Sequence, residues 1–204
     1  MIEHLVFDCS DVLIKFHAEE VLQSLLPGLY TEHDRFKTFF DNTVWHEYDI
    51  GKISTDQAHA GLLKHFSGQE RAIIADYLAG WTDHYTPMPG IRELLPRLHA
   101  AGYKLYILSD YPEVFEKLYD HFDYLKTFDG RMVSYEVGLA KSEGRAIFDC
   151  FLDKFHLAPE TCFFTDDTPF NIEAAKQSGM NAHLFTGTDD YIAALERLTG
   201  RPLE

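Results

Sequence analysis

Apolar residues along this chain change their spacing twice, and the changes mark its parts. Leu5-Val6-Phe7 is a short unbroken apolar run that ends abruptly at Asp8, followed by Cys9-Ser10-Asp11-Val12-Leu13-Ile14. An apolar run without alternation reads as a strand buried on both faces, as in a parallel sheet. Such a strand delivers Asp8 to its carboxyl end, the edge at which open α/β sheets place their ligands.

From about Lys15 to Tyr85 the pattern is that of amphipathic helices. Val21, Leu22, Leu25 and Leu26 predict one helix, stopped by Pro27-Gly28, and Phe36, Phe39 and Phe40 predict a second, opened by Thr31. Ser54-Thr55-Asp56-Gln57 has capping-box spacing and starts a third, with Leu62, Leu63 and Phe66 on its apolar face and Ser67-Gly68 at its end. Ile73, Ile74, Tyr77, Leu78 and Trp81 predict a fourth. No strand-like alternation interrupts them, so the segment reads as a small helical unit set into a different architecture.

After Pro87-Met88-Pro89-Gly90 helices and strands alternate. Ile91, Leu94, Leu95 and Leu98 form a helical stripe with Pro96 inside it, an expected kink. The strand Leu105-Tyr106-Ile107-Leu108 ends at Ser109-Asp110, and a helix through Val114, Phe115 and Leu118 follows. Phe128 to Val137 reads as irregular, and Ile147, Phe148, Phe151, Leu152 and Phe155 as a long helix. Cys162-Phe163-Phe164-Thr165 is a buried strand ending at Asp166-Asp167, after which Thr168-Pro169 caps and opens a helix. Asn181 to Phe185 is a fourth strand, and Tyr191, Ile192, Leu195 and Leu198 line the last helix. Strands alternating with helices imply an α/β fold built on a doubly wound, Rossmann-like parallel sheet. The expected organisation is a core over residues 1–14 and 87–204 with a small all-helical cap over residues 15–86.

Composition narrows the function. With 204 residues, 46% hydrophobic and 14% aromatic, the chain is globular, without low-complexity or repeated segments. No apolar run reaches the roughly 20 residues that span a bilayer, and the start lacks a signal peptide's basic residues and apolar core, so a cytoplasmic protein is expected. Cys9, Cys150 and Cys162 are an odd number at unrelated spacings, which fits reduced thiols. The formal net charge of −15, with no Lys/Arg cluster, argues against nucleic acid and acidic membranes as partners. Surface charge is screened beyond about 8 Å at physiological salt, so a small phosphate can still bind where the site carries its own cations.

Three strand ends carry polar pairs or acids: Asp8, Ser109-Asp110 and Asp166-Asp167. In a parallel sheet these ends share one edge, and carboxylates gathered there repel unless a cation sits among them. A hard, oxygen-seeking dication, Mg²⁺ foremost, is the natural complement. A helix cap explains one of Asp166 and Asp167, and the second is what favours metal.

The chain resembles the haloacid dehalogenase-like (HAD-like) hydrolase superfamily, in its branch with an all-helical cap inserted after the first strand. Four motifs carry the resemblance in order: Phe7-Asp8-Cys9-Ser10-Asp11-Val12-Leu13, Ile107-Leu108-Ser109-Asp110, Lys141 after Val137-Gly138-Leu139-Ala140, and Phe164-Thr165-Asp166-Asp167-Thr168-Pro169-Phe170-Asn171. The resemblance implies a Mg²⁺-dependent phosphatase of small phosphorylated metabolites. Asp8 would be the nucleophile that forms an aspartyl-phosphate, and Lys141 and Ser109 would hold phosphoryl oxygens, with Asp110 beside them at the substrate. Asp8, Asp167, Asp166 and the Ser10 carbonyl would hold the metal, Asp166 as ligand or water holder, and Asn171 would support the acidic loop.

Two departures bear on activity. Ser10 stands where most phosphatases of the superfamily carry the aspartate that protonates the leaving alcohol, and a serine hydroxyl is a very poor acid near neutrality. A positioned acid or base contributes roughly 10²- to 10⁴-fold, so its loss slows such an enzyme without abolishing it. Asp11, one residue on, where relatives usually have glycine, is the alternative acid, disfavoured because the next position points elsewhere. Lys141-Ser142-Glu143-Gly144 replaces the commoner Lys-Pro-Asp-Pro. Two other readings stand beside the phosphatase: a 2-haloacid dehalogenase, which tolerates a non-acid at position 10, and a catalytically weak or inactive phospho-ligand-binding module. Trp45, His46, Tyr48, Asp49 and Lys52 around Gly51 form a polar-aromatic cluster able to face the site, while His59 reads as packing.

Overall fold

A computed structural model describes residues 1–26 and 43–203. The second helix expected around Phe36, Phe39 and Phe40 lies outside the described residues. Five parallel strands form the central sheet: β1 (His4–Phe7), β4 (Lys104–Ser109), β5 (Gly130–Val133), β6 (Cys162–Asp166) and β7 (Asn181–Leu184), in the order β5-β4-β1-β6-β7. A second, two-stranded antiparallel sheet pairs β2 (Ile14–Phe16) with β3 (Tyr85–Pro87), Ile14 opposite Pro87.

β1 is central because its three apolar side chains are wholly buried, and successive residues serve opposite faces. Leu5 and Phe7 join the apolar cluster that also takes Leu105, Ile107 and Phe163. Val6 points the other way, among Leu108, Phe148 and Phe164. Full burial of such side chains contributes about 1.5–3 kcal/mol each, so a charge introduced at Val6 would break the sheet at its middle.

The helices of the core follow the strands. α5 (Ile91–Ala100) buries Ile91, Leu94, Leu95 and Leu98, and α6 (Phe115–His121) buries Phe115 and Leu118. α7 (Ser134–Val137) is a single turn, and α8 (Ala146–Phe155) buries Ile147, Phe148, Phe151 and Leu152. α9 (Pro169–Gln177) and α10 (Thr188–Thr199) complete the layers. Between β2 and β3 run α1 (Ala18–Leu25), α2 (Thr43–Asp49), α3 (Thr55–Leu62) and α4 (Gly68–Ala79). Ser54 accepts from the Gln57 N–H and the Gln57 side chain accepts from the Ser54 N–H, the expected capping box. Among the described residues no helix is long and apolar enough to cross a membrane, and all three cysteines are free thiols.

Several elements differ from the expectation. Lys15 to Tyr85 is not wholly helical, because Ile14–Phe16 and Tyr85–Pro87 pair as strands at the two ends of the segment. Three-residue strands are too short to show a period. Phe128 to Val137 is not irregular either: Gly130–Val133 is the edge strand β5, parallel to β4. Its glycine hid it, and any larger residue there would displace the Phe155 ring, since a Cβ would lie 2.5 Å from one of its carbons. Ser67 precedes α4 as its N-cap instead of closing α3, which ends at Leu62 before a 3₁₀ turn over Leu63–His65. Thr168 occupies the N-cap of α9, but its side chain makes no capping bond; Pro169 at the first helical position is as expected. Pro96 lies on the exposed face of α5, where the carbonyl it leaves without a partner can meet water.

Candidate active site

Strands β4, β1 and β6 are neighbours, so their carboxyl ends bring Ser109-Asp110, Asp8 and Asp166-Asp167 to one edge. The Asp8 N–H donates to the Thr165 carbonyl at 2.9 Å, fixing the nucleophile candidate against β6. Beyond it the chain turns sharply. The N–H groups of Leu13 and Ile14 donate to the Cys9 carbonyl at 2.8 and 3.0 Å, and Asp11 takes a left-handed φ of 55°. That conformation explains why relatives favour glycine at this position, and aspartate is among the residues that tolerate it. The Asp11 carboxylate accepts the Phe16 N–H at 3.4 Å, a tie within the turn.

Lys141 is brought to the same edge by a 3₁₀ turn, Lys141–Glu143, whose first N–H donates to both Asp110 carboxylate oxygens at 2.9 and 3.0 Å. Its side chain, 2% exposed, carries the ammonium to 2.7 Å from Asp8 Oδ1 and 2.6 Å from Asp166 Oδ2. Asp166 is itself fully engaged, receiving the Asn171 amide at 3.0 and 3.1 Å and the Thr168 N–H at 2.8 Å. Asn171 therefore supports the acidic loop through Asp166, which in turn aims Lys141.

The electrostatics follow from four acids around one buried cation. Burial would lower Lys141, but Asp8, Asp166 and Asp110 outweigh it and hold the ammonium charged. Burial raises Asp8, against the pull of Lys141 and with the push of Asp166. Asp110 and Asp167 are raised as well, each mainly by burial, and Asp167 also by Asp166 and Asp11. Ser109 Oγ is buried, pulls Asp8 weakly downward, and makes no hydrogen bond of good geometry.

One oxygen from each of Asp8, Asp166 and Asp167 falls within 4.8 Å of the others. These are hard anionic donors with an excess of negative charge beside them, a set that fits a divalent ion of the Mg²⁺ kind. Because Asp166 is committed to Lys141, Asn171 and Thr168, Asp8 and the exposed Asp167 carry the freer oxygens.

The Ser10 hydroxyl hydrogen-bonds to the phenols of Tyr85 and Tyr111. Next to it opens a cleft of about 170 Å³ between the helical segment and the sheet edge. Trp45 and Asp49 from α2 line it, as does Asp110. The other members of the polar-aromatic cluster are engaged elsewhere: His46 Nε2 lies 3.3 Å from Glu143, Tyr48 pairs its hydroxyl with Thr55 at 2.9 Å, and Lys52 is exposed. His59 is half-buried on α3. Sequence reasoning missed Phe16, Tyr85, Tyr111 and Pro112 as cleft residues. The adjacency of Tyr111 to Asp110 was a usable signal, whereas nothing in the pattern marks Phe16 and Tyr85. Two roomier cavities, one beside Tyr103 and Arg201 and one beside Lys176 and His183, touch none of the acids.

A parallel sheet with acids converging at its carboxyl edge and a buried lysine among them marks a doubly wound α/β protein whose candidate site lies at that edge. The family profile of the haloacid dehalogenase-like hydrolases matches residues 2–179, and the chain belongs to that family. Among solved structures it is similar to a HAD family enzyme from Bacteroides thetaiotaomicron in complex with magnesium and inorganic phosphate. That match has 20% identity, covers 95% of this chain and 99% of the other, and has a TM-score of 0.73. An L-2-haloacid dehalogenase from Xanthobacter autotrophicus with chloropropionic acid covalently bound matches at 17% identity over 100% of this chain and 85% of the other, TM-score 0.68. At these identities the likeness speaks to the fold. A curated relative, a drimenol cyclase from Aspergillus calidoustus, is 23% identical over 207 residues, and the chain spans 38% of its length.

Proposed function

We propose that this hydrolase is a Mg²⁺-dependent phosphatase of small phosphorylated metabolites, working through an aspartyl-phosphate on Asp8. The observation that carries the reading is the Lys141 ammonium set between Asp8 and Asp166, with Asp167 alongside. An Asp8 oxygen attacks phosphorus, the bond from phosphorus to the leaving alcohol breaks, and the alkoxide takes up a proton from solvent water. Water then attacks the phosphoryl group and returns Asp8 as carboxylate. Lys141 offsets the charge of a dianion approaching a carboxylate, and the unpartnered Ser109 hydroxyl donates to a phosphoryl oxygen. Asp110, at the rim of the cleft, holds the Lys141 backbone and so fixes where the ammonium points. Asp8, Asp166, Asp167 and the Ser10 carbonyl would hold Mg²⁺, which when bound neutralises phosphoryl charge and orients the group for in-line attack. Residues 15–86 act as a cap that closes over this edge and excludes water.

The test is release of phosphate from a generic aryl phosphate, with Mg²⁺ and with chelator, by the wild type and Asp8→Asn. Loss of turnover in the variant and in chelator is the expected result; activity untouched by Asp8→Asn overturns the mechanism. Ser10 favours one other reading, a 2-haloacid dehalogenase using the same aspartate on carbon. Halide release from a 2-haloacid in the presence of chelator would establish that instead.

A further inference from the structure

The cleft beside Ser10 has a character of its own. Four aromatic side chains line it: Phe16 and Tyr85 from the small sheet, Trp45 from the helical segment and Tyr111 from the loop after β4. They are held as a set. The Phe16 and Tyr85 rings stack with centroids 4.4 Å apart and planes at 7°, and Tyr85 and Tyr111 lie 6.3 Å apart. The Tyr111 hydroxyl donates to the Tyr85 hydroxyl, and both bond to Ser10. Burial raises both phenols well above their ordinary range, so they stay neutral. The wall is therefore a fixed apolar surface with aromatic faces, formed before any ligand arrives.

Its volume and charge limit what it accepts. About 170 Å³ is close to the size of an engineered cavity, about 150 Å³, that takes up benzene. Among the described lining residues the charged side chains are Asp49 and Asp110, both acids, and no lysine or arginine lines the cleft. Burial, and then Asp110, pushes the Asp49 carboxyl up to about 8, a sign that this surface already resists a second negative charge. With Asp49 neutral near pH 7 and no lysine or arginine among the described lining residues, an anionic leaving group would enter this surface with nothing to offset its charge.

Resting on the phosphatase reading, we infer that this cleft receives the leaving group of the substrate, and that the group is a compact, uncharged aromatic or alicyclic alcohol. The phosphoryl end lies at Asp8 and Lys141, and the ring end packs against Phe16, Trp45, Tyr85 and Tyr111. Sugar acids, nucleotides and bisphosphorylated metabolites are disfavoured because no cation among the described lining residues offsets their added charge.

The experiment compares kcat/KM of the wild type for benzyl phosphate, 4-carboxybenzyl phosphate and glycerol 1-phosphate. All three leave as primary alkoxides, so differences report the cleft more than the leaving-group chemistry. Benzyl phosphate is expected to exceed each of the others by about tenfold or more, the scale on which a hydrophobic pocket discriminates. Trp45→Leu should shrink the benzyl-to-glycerol ratio, and at a pH above about 8, where Asp49 ionises, Asp49→Asn should narrow the gap between benzyl and carboxybenzyl. Equal rates, or a preference for glycerol 1-phosphate or 4-carboxybenzyl phosphate, overturn the inference while leaving an Asp8-dependent phosphatase intact. Should none of the three turn over, calorimetry with Mg²⁺ separates the two ideas. Benzylphosphonate binding about tenfold tighter than methylphosphonate upholds the ligand class, although the phosphatase reading has failed. Equal binding overturns the ligand class as well.

Discussion

The Lys141 ammonium lies 2.7 Å from Asp8 Oδ1, and both side chains are almost wholly buried. The ammonium pulls the Asp8 carboxyl toward its ionised form against a burial that favours the neutral acid and prevails, and the same lysine reaches Asp166 at 2.6 Å. Lys141 thus links the nucleophile candidate to the acidic loop after β6, and its removal leaves buried acids without a counterion.

Lys141→Met should therefore cost stability as well as activity. Breaking a buried pair by removing one partner destabilises by roughly 3–5 kcal/mol. Urea unfolding should show this loss at pH 7.5 and a smaller one at pH 5, where the acids can protonate. Phosphate release should fall to background at both.

Ser10→Asp restores a carboxyl at the position where relatives carry their acid. The Tyr85 hydroxyl, which accepts from Tyr111, can donate its own proton to the new carboxyl. Turnover of an alkyl phosphate, whose leaving group needs a proton, should rise by up to about 10²-fold, the lower end of what a positioned acid contributes. Turnover of 4-nitrophenyl phosphate, whose leaving group does not, should change little.

Gly51→Ala tests how the helical segment rests on the core. Gly51 has a φ of 70°, and a Cβ there would lie 2.6 Å from the Tyr135 carbonyl oxygen. Beside it, the Ser134 hydroxyl donates to the Asp49 carbonyl, and Thr55 donates twice to Glu113. A left-handed alanine costs about 1–2 kcal/mol before any clash. The expected outcome is a lowered Tm together with a raised KM, because α2 carries Trp45 and Asp49 to the cleft.

Asp49 gives the pH dependence of stability a definite sign. Its carboxyl is pushed from the ordinary 3.8 up to about 8, so the folded protein holds a proton there that the unfolded chain releases. The contribution is fully present below about pH 4 and is lost as pH rises through about 8. The groups facing it are Asp110, which raises it further, and the neutral phenols of Tyr85 and Tyr111. Asp49→Asn should flatten the fall in unfolding free energy between those limits, measured by denaturant titration at steps of pH.

Much of this protein was legible from spacing alone. The runs before Asp8, Asp110 and Asp166 are buried strands because nothing polar interrupts them, and apolar burial on both faces is a local property of sequence. The capping box at Ser54 and Gln57 and the proline opening α9 are equally local, since each concerns groups three or fewer residues apart. Motif order likewise assigned the chain to its family. What needed the folded chain was everything that depends on pairing across distance. The strands Ile14–Phe16 and Tyr85–Pro87 exist only because each supplies the other's hydrogen bonds across a long stretch of sequence. β5 begins on a glycine for the sake of Phe155, a residue on another element. The cleft is the clearest case: Phe16, Trp45, Tyr85 and Tyr111 share no period and no motif, and their common face arises because an inserted segment folds back onto the sheet edge. Sequence alone determined which chemistry the strand ends could carry, because residue type and strand position fix that. Tertiary structure decided what stands opposite the chemistry, because shape and charge in a cleft belong to no single stretch of chain.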